Sequence, residues 1–280
     1  MTPSVLTRPG ALTPVLVASH PRSGTHLVMD LMRRQFPSLS NWRCFGLPLD
    51  RLYLNLERLG ATERRIDPGL AARIVNRPRR ALMKTHFEAD FSTSWIKAES
   101  NAPEGPFLEL ADAARVVYVV RHPMNVMTSY QQFLSGIDPA LAELGTMEFL
   151  TTPHWDGGTD RLGWWIRHVT DWSARPGGLV VRYEDVVRHT GDTLDAMAGL
   201  LEELIKGRIP ALPPKINSIW RTRFDRVVRL SPESTAIVAD RSRFPARDWQ
   251  TELTDADRAA VAERLGPLLA RFDYTLAPQG

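Results

Sequence analysis

Short runs of apolar and β-branched residues recur along the chain, and each run is followed by a loop and a helix-like segment. Four of these runs predict strands, at residues 15–19, 81–84, 116–120 and 179–182. The run at 116–120 is apolar on both faces, which is typical of a strand covered on both sides of a sheet. Helical patterns follow at residues 27–36 and from about 193 to 204, and Pro123 opens another helix. This alternation predicts an α/β fold with a central parallel sheet flanked by helices.

The remaining stretches fit the same single domain, residues 1–280. Residues 40–75, 134–162 and 207–250 are irregular and rich in Pro, Gly, Trp and Arg, so we interpret them as insertions over the sheet edge. An amphipathic helix near residues 255–272 closes the chain, and Pro267 is expected to kink or split it. Thr254 and Asp257 predict a capping box at its start.

Composition and charge narrow the classes of function. The 280 residues carry 35 basic and 32 acidic side chains, a net charge of +3, which excludes a polycation that coats nucleic acid. Only four of the basic residues are lysine. An arginine excess suits the binding of phosphate or carboxylate, but a GC-rich genome would also produce it.

The single cysteine, Cys44, has no partner for a disulfide or a zinc motif, which favours a reducing compartment. No signal sequence and no apolar run of about 20 residues is apparent. The sequence therefore predicts a cytoplasmic protein without a membrane span.

The loop after the first predicted strand, residues 20–26 (His-Pro-Arg-Ser-Gly-Thr-His), is the most informative segment. Glycine and small hydroxyl residues between a strand and a helix let backbone N–H groups close around an anion. Arg22 adds a fixed positive charge. The loop lacks the G-x-x-x-x-G-K-[ST] pattern of nucleotide triphosphatases. A plain strand-to-helix turn capped by Ser or Thr explains the segment about as well.

The third predicted strand ends at Arg121, and Ser129 follows eight positions later on the next helix. Ligands of parallel sheets bind beyond the carboxyl ends of the strands, so the two side chains are placed to share a phosphate. A strand-end arginine paired with a carboxylate, beside an ordinary helix serine, is the alternative.

Taken together, these segments resemble sulfotransferases that use 3′-phosphoadenylyl sulfate (PAPS). Residues 22–25 (Arg-Ser-Gly-Thr) resemble the 5′-phosphosulfate loop, and Arg121 with Ser129 resembles the 3′-phosphate site. The likeness continues in chain order with blocks at residues 84–86 (Lys-Thr-His), 164–172 (Trp-Trp…His…Trp), 183–185 (Tyr-Glu-Asp) and 243–249 (Arg…Asp-Trp). The matching blocks run from Val15 to Leu253. The resemblance implies a P-loop-kinase-like sulfotransferase fold.

The resemblance also implies roles for single residues. His86 would be the general base, with Lys84 orienting the acceptor or the bridging oxygen and Arg22 stabilising charge on the leaving phosphate. The 5′-phosphate contacts would come from Ser23, Gly24, Thr25 and His26, and the 3′-phosphate contacts from Arg121, Ser129 and Arg243, with Tyr183 on the adenine. PAPS is then the donor and 3′,5′-bisphosphoadenosine (PAP) the product, and no metal is implied. Without this context, His86 would be interpreted as a capped or core histidine, Tyr183 as a packing residue, and the tryptophans are core in either case.

Some positions depart from the family pattern. Arg22 stands where the cytosolic branch usually has lysine, and because arginine does not give up its proton, its role would be electrostatic. His26 replaces a small hydroxyl residue, and Leu27 a tryptophan. In the late loop Arg243 best retains the 3′-phosphate charge, with Arg241 as the alternative.

The sequence predicts transfer to a hydroxyl, or less readily an amine, of a small, partly apolar acceptor. The irregular insertions and their borders supply the aromatic residues for such a pocket: Trp42, Phe45, Tyr53, Phe133, Phe149 and Trp155. A sugar stacked on these aromatics is left open, as is a homo-oligomer. The alternative functions are an ATP-dependent small-metabolite kinase and a nucleotide- or nucleic-acid-binding module. The missing P-loop lysine motif argues against the first and the low net charge against nucleic acid.

Overall fold

A five-stranded parallel sheet forms the centre of the computed structural model, which describes residues 10–39, 53–60, 66–76, 78–91, 105–154, 158–206 and 247–277. Its strands are β1 (Leu12–Ser19), β2 (Leu54–Asn55), β3 (Arg80–Thr85), β4 (Arg115–Val120) and β5 (Leu179–Arg182). The spatial order is β2-β3-β1-β4-β5. Because all strands run the same way, their carboxyl ends meet at one edge, with β1 in the middle.

The four predicted strands are confirmed, and a fifth was missed. β2 is only two residues long, too short to show a periodic pattern, and it pairs Leu54 with Met83 and Asn55 with Lys84. The interpretation of residues 40–75 as irregular is therefore corrected for this part, which supplies an edge strand of the sheet.

Helices connect the strands and cover the sheet. In the described part of the chain they are α1 (Thr25–Gln35), α2 (Glu57–Gly60), α3 (Pro68–Asn76), α4 (Gly105–Asp112), α5 (Pro123–Ser135), α6 (Thr146–Thr151), α7 (Arg161–Ser173), α8 (Tyr183–Arg188), α9 (Thr190–Leu201), α10 (Trp249–Glu252), α11 (Asp255–Leu265) and α12 (Pro267–Arg271). Short 3₁₀ turns lie at Pro37–Leu39 and Pro139–Ala142.

The helix ends follow local chemistry. α9 stops at Leu201, earlier than predicted, because Glu202 adopts a left-handed conformation, and Leu204 beyond it is exposed. The predicted closing helix is split as expected, into α11 and α12, at Gly266 with Pro267 beginning the second piece. The Thr254–Asp257 capping box is present. No helix among the described residues is long and apolar enough to cross a membrane.

Two apolar clusters lie on opposite faces of the sheet. Alternate residues of β1 point to different sides, so Val15 and Val17 pack with α1 and α9 while Leu16 and Ala18 pack with α7. The tryptophans of α7, Trp164, Trp165 and Trp172, are almost fully buried in the second cluster, as predicted. Both faces of the sheet are thus filled, and the carboxyl-end edge is where polar residues collect.

Candidate active site

The loop between β1 and α1 forms a backbone cradle. Arg22 and Gly24 both have positive φ angles, 70° and 100°, and Gly24 is the residue that caps α1. A Cβ atom on Gly24 would lie 2.4 Å from Cδ2 of Tyr183. A helix leaves the N–H groups of its first turn without intrahelical partners, so this turn presents donors to an anion. The hydroxyl of Ser23, in a residue only 1% exposed, has no hydrogen-bond partner in the described part of the chain.

The next two residues of the loop are held by protein partners. The Thr25 hydroxyl lies 2.5 Å from the Ser19 hydroxyl, at the end of β1. His26 Nε2 lies 2.9 Å from the Tyr53 hydroxyl. Burial, together with the nearby Lys84 and Arg22 charges, lowers the pKa of His26 to about 3, so the ring is neutral near pH 7. The His26 side chain is thus a neutral partner of Tyr53 rather than a cationic phosphate ligand, and its backbone N–H remains the group suited to an anion.

Two arginines from different strand ends converge beside this cradle. Arg22 donates from Nε to the Ser129 hydroxyl at 3.1 Å, and Arg121 donates from Nη1 to the Arg22 carbonyl at 3.1 Å. The Arg121 guanidinium also lies 4.5 Å from the centroid of the Tyr183 ring. The structure therefore brings the predicted residues of three strand ends together, with Ser129 bonded to Arg22.

His86 lies at the carboxyl end of β3 and is anchored to β1. Its Nδ1 is 2.6 Å from the Ser19 carbonyl oxygen. A carbonyl only accepts, so Nδ1 carries the hydrogen and Nε2 keeps its lone pair. Burial, and secondly the Lys84 charge, hold the pKa of His86 well below its ordinary value of 6.5. The imidazole is therefore a neutral acceptor at physiological pH.

A carboxylate that sequence reasoning missed gathers the segment around His86. Glu57 accepts from Lys84 Nζ at 3.2 Å and from the Thr85 hydroxyl at 2.9 Å, and it also accepts from the backbone N–H of His86. Lys84 Nζ lies 3.4 Å from Oδ1 of Asn55 as well. One weak signal was present in the sequence, since residues 53, 55 and 57 alternate as Tyr, Asn and Glu between leucines. That is the period of a strand with one polar side.

Helix α7 forms hydrogen bonds to the backbone carbonyls of His86 and the next residue. His168 lies between the Tyr118 hydroxyl, 3.0 Å from Nδ1, and the His86 carbonyl, 3.3 Å from Nε2. Trp172 donates from Nε1 to the Phe87 carbonyl at 2.8 Å. Burial lowers the pKa of His168 to about 4. These residues position the backbone of the segment after β3, and their side chains are buried.

The segment after β4, which begins with Arg121, is held by hydrogen bonds to Glu184 of α8 and to Trp249. Glu184 accepts from the His122 backbone N–H at 3.0 Å and from the Tyr274 hydroxyl at 3.0 Å. Trp249 donates from Nε1 to Oδ1 of Asn125 at 3.1 Å. The Tyr-Glu-Asp and Asp-Trp blocks thus each form a hydrogen bond with the segment after β4.

Some of the predicted site residues lie outside the part of the chain that the structure describes. Arg243 and its alternative Arg241 lie outside the described residues. The same holds for three of the aromatic residues expected around the acceptor: Trp42, Phe45 and Trp155. Of the other three, Tyr53 and Phe133 lie near His26 and Arg22, whereas Phe149 is buried in the core. Among the described residues, no group of three or more His, Cys, Asp or Glu side chains has the arrangement of a metal site.

A five-stranded parallel sheet flanked by helices, with a glycine-containing loop after its central strand, defines the class of α/β proteins. The particular family follows from comparison. The sulfotransferase domain family matches residues 12–272, and the chain belongs to this family.

The solved structures to which the chain is similar have low sequence identity to it. Retinol dehydratase in complex with androsterone and inactive cofactor PAP is 16% identical, with a TM-score of 0.52 over 92% of this chain and 80% of that one. Mouse sulfotransferase SULT7A1 complexed with PAP is 14% identical, with a TM-score of 0.48 over 94% of this chain and 86% of that one. A search of curated proteins gives no match.

Proposed function

We propose that the protein transfers the sulfuryl group of PAPS to a hydroxyl, or less readily an amine, of a small, partly apolar acceptor, with His86 as general base. One observation carries the proposal. Ser19, at the end of the central strand, holds His86 through its carbonyl and Thr25 of the cradle through its hydroxyl. A candidate base and a candidate phosphate loop are therefore anchored to the same residue, as a transfer between two bound molecules requires.

The residues of the cradle suit the phosphates of the donor. The Ser23 hydroxyl, which has no hydrogen-bond partner among the described residues, and the N–H groups at the start of α1 are donors that an anion can use. We assign the 5′-phosphate to residues 22–26, the 3′-phosphate to Arg121, Ser129 and Arg243, and the adenine to Tyr183. The PAP bound in the similar retinol dehydratase structure supports PAPS as the donor. When bound, PAPS supplies the activated sulfuryl group.

Three residues of the chain accept the proton, stabilise the leaving group and orient the acceptor. His86 accepts the proton of the acceptor hydroxyl at Nε2, the nitrogen left free by the bond from Nδ1 to Ser19. Arg22 stays charged and stabilises the negative charge that develops on the leaving phosphate, without donating a proton. Lys84 orients the acceptor or the bridging oxygen.

The acceptor is expected to meet aromatic surface. Phe133 lies 5.3 Å from the Arg22 guanidinium, and Tyr53 is bonded to His26 beside the cradle. Aromatic side chains next to a few directed polar groups favour a phenol, an alcohol or a similar partly apolar molecule.

The test is incubation with sulfur-labelled PAPS and a panel of phenols, alcohols, amines and sugars. His86→Ala is expected to lower kcat by about 10²–10⁴-fold, the range typical of general-base catalysis, while PAP still raises the melting temperature. Full activity of His86→Ala would remove His86 as base. Thermal stabilisation by ATP with magnesium but not by PAP would instead favour the kinase alternative.

A further inference from the structure

Glu57 is the first residue of α2, and its carboxylate reaches three consecutive residues of β3 and its carboxyl end. It accepts from the Lys84 ammonium at 3.2 Å, from the Thr85 hydroxyl at 2.9 Å and from the His86 backbone N–H. Its side chain is 28% exposed, whereas that of Lys84 is 6% exposed. One partly exposed carboxylate therefore organises the segment that holds the proposed base.

Lys84 requires a counter-ion in this environment. An ammonium group taken out of water without a paired charge is strongly disfavoured and tends to lose its proton. The Glu57 carboxylate provides the opposite charge at contact distance. It also offsets the repulsion that the Lys84 charge exerts on a proton entering the nearby His86 ring.

The backbone contact has a second consequence. His86 is bonded on its ring side to the Ser19 carbonyl of β1 and on its backbone side to Glu57. The residue is thus clamped between the central strand and the edge of the sheet. Losing the Glu57 contact would free the backbone at the point that sets the direction of the ring.

We propose that Glu57 is a positioning residue for sulfuryl transfer, which holds the backbone of His86 in place and provides the counter-charge of Lys84 beside it. This inference rests on the proposed function of His86 as base. Glu57 acts through these two residues, to which its carboxylate is bonded, and His86 remains the proposed proton acceptor.

Among the described residues, the titratable groups that face His86 are Lys84 from β3, Glu57 from α2, His26 from α1, His168 from α7 and His20 from the loop after β1. The histidines among them are buried and have lowered pKa values, so they are neutral at pH 7. Burial, and secondly the Lys84 charge, keep the proton affinity of His86 low, and Glu57 is the negative charge in contact with Lys84. Removing the Glu57 carboxylate leaves the Lys84 charge uncompensated, so we expect the pKa of His86 to fall further.

The experiment compares the pH dependence of kcat for wild type and Glu57→Gln with labelled PAPS. We expect kcat of Glu57→Gln to fall about tenfold or more and the acid limb to move about half to one pH unit lower, because a base with a lower pKa stays neutral to lower pH but takes up protons less well. The KM for PAPS should change little. Glu88→Gln is the matched control, because Glu88 pairs with Arg167 at 3.0 Å, and it should keep the wild-type profile.

The outcomes separate the inference from the proposed function. A wild-type protein that neither binds PAP nor transfers sulfate overturns both. With an active wild type, an unchanged Glu57→Gln profile overturns the inference, and so does a loss of kcat with an unmoved acid limb, which would indicate a merely structural role. If Glu57→Gln does not fold, Lys84→Met takes its place, since removal of the positive charge must move the acid limb to higher pH; an unmoved limb there also overturns the inference.

Discussion

At the scale of single residues, Gly24 shows how tightly the cradle is built. Its φ of 100° is a conformation that L side chains rarely adopt, and the ring of Tyr183 occupies the space that a Cβ would need. The same Tyr183 ring carries the Arg121 guanidinium on its face. One glycine therefore lets the phosphate loop and the residues assigned to adenine and 3′-phosphate pack against each other.

Gly24→Ala is expected to lower the free energy of unfolding by about 1–3 kcal/mol through backbone strain. It should also weaken PAP binding at least tenfold, because Tyr183 must move away from Arg121. Urea unfolding and isothermal titration with PAP measure the two effects. Gly199→Ala is the control, since a Cβ there meets nothing within 4 Å and lies in α9, where alanine stabilises the helix by up to about 1 kcal/mol. Equal PAP affinity in Gly24→Ala and wild type would show that the packing of Tyr183 is irrelevant to the site.

At the scale of elements, the loops after the strands are held by helices and segments far away in sequence. Glu184, on α8, joins the loop after β4 to the final segment of the chain through the His122 N–H and the Tyr274 hydroxyl. Burial and the Glu184 charge raise the pKa of Tyr274, so its hydroxyl stays protonated and keeps donating. The position of Arg121 thus depends on contacts between elements rather than on its own loop.

Removing the Glu184 carboxylate should therefore loosen the Arg121 loop. Glu184→Ala leaves two donors unpaired, which costs about 1–3 kcal/mol for each buried one, and we expect PAP to bind several-fold more weakly. Tyr274→Phe removes only the distant bond and should affect PAP binding less. Glu263→Ala, exposed on α11, controls for the loss of a surface charge. Titration with PAP showing unchanged affinity for Glu184→Ala would contradict the coupling.

At the scale of the whole molecule, buried neutral histidines link stability to pH. The folded pKa values of His26 and His168 are about 3 and 4, well below the ordinary value near 6.5. Between these values the unfolded chain binds protons that the folded protein does not, so stability is full above about pH 6.5 and falls as the pH drops.

The expected slope is up to about 1.4 kcal/mol per pH unit for each such histidine between pH 6.5 and about 4. Urea unfolding at pH 8, 7, 6 and 5 measures it. From pH 8 to 7 these histidines should contribute no slope, which is the internal control, and His168→Gln should reduce the slope below pH 6.5. A wild-type stability that stays constant down to pH 5 would contradict the burial of neutral histidines.

The whole fold also shows which elements of the structure can be predicted from the sequence and which cannot. β1, β3, β4 and β5 were predictable because each contains a run of apolar residues. Those runs are buried in β1, β3 and β4, whereas β5 is a partly exposed edge strand. The cradle was predictable because its residues are neighbours in the chain. β2 was not predictable, because two residues carry no periodicity, and with it Asn55 and Glu57 went unseen as partners of Lys84.

The sequence by itself determined the α/β class, the family and the residues that lie within single strand-loop-helix units, because these depend on local patterns of apolar, glycine and charged positions. Only the tertiary structure decided which of these units meet. Sheet order placed β2 beside β3 and β1 beside β4, and so brought Glu57 to Lys84 and His86, Arg22 to Ser129, and Glu184 to the Arg121 loop. Those contacts join residues dozens to more than a hundred positions apart, and no local pattern encodes a partner at that distance.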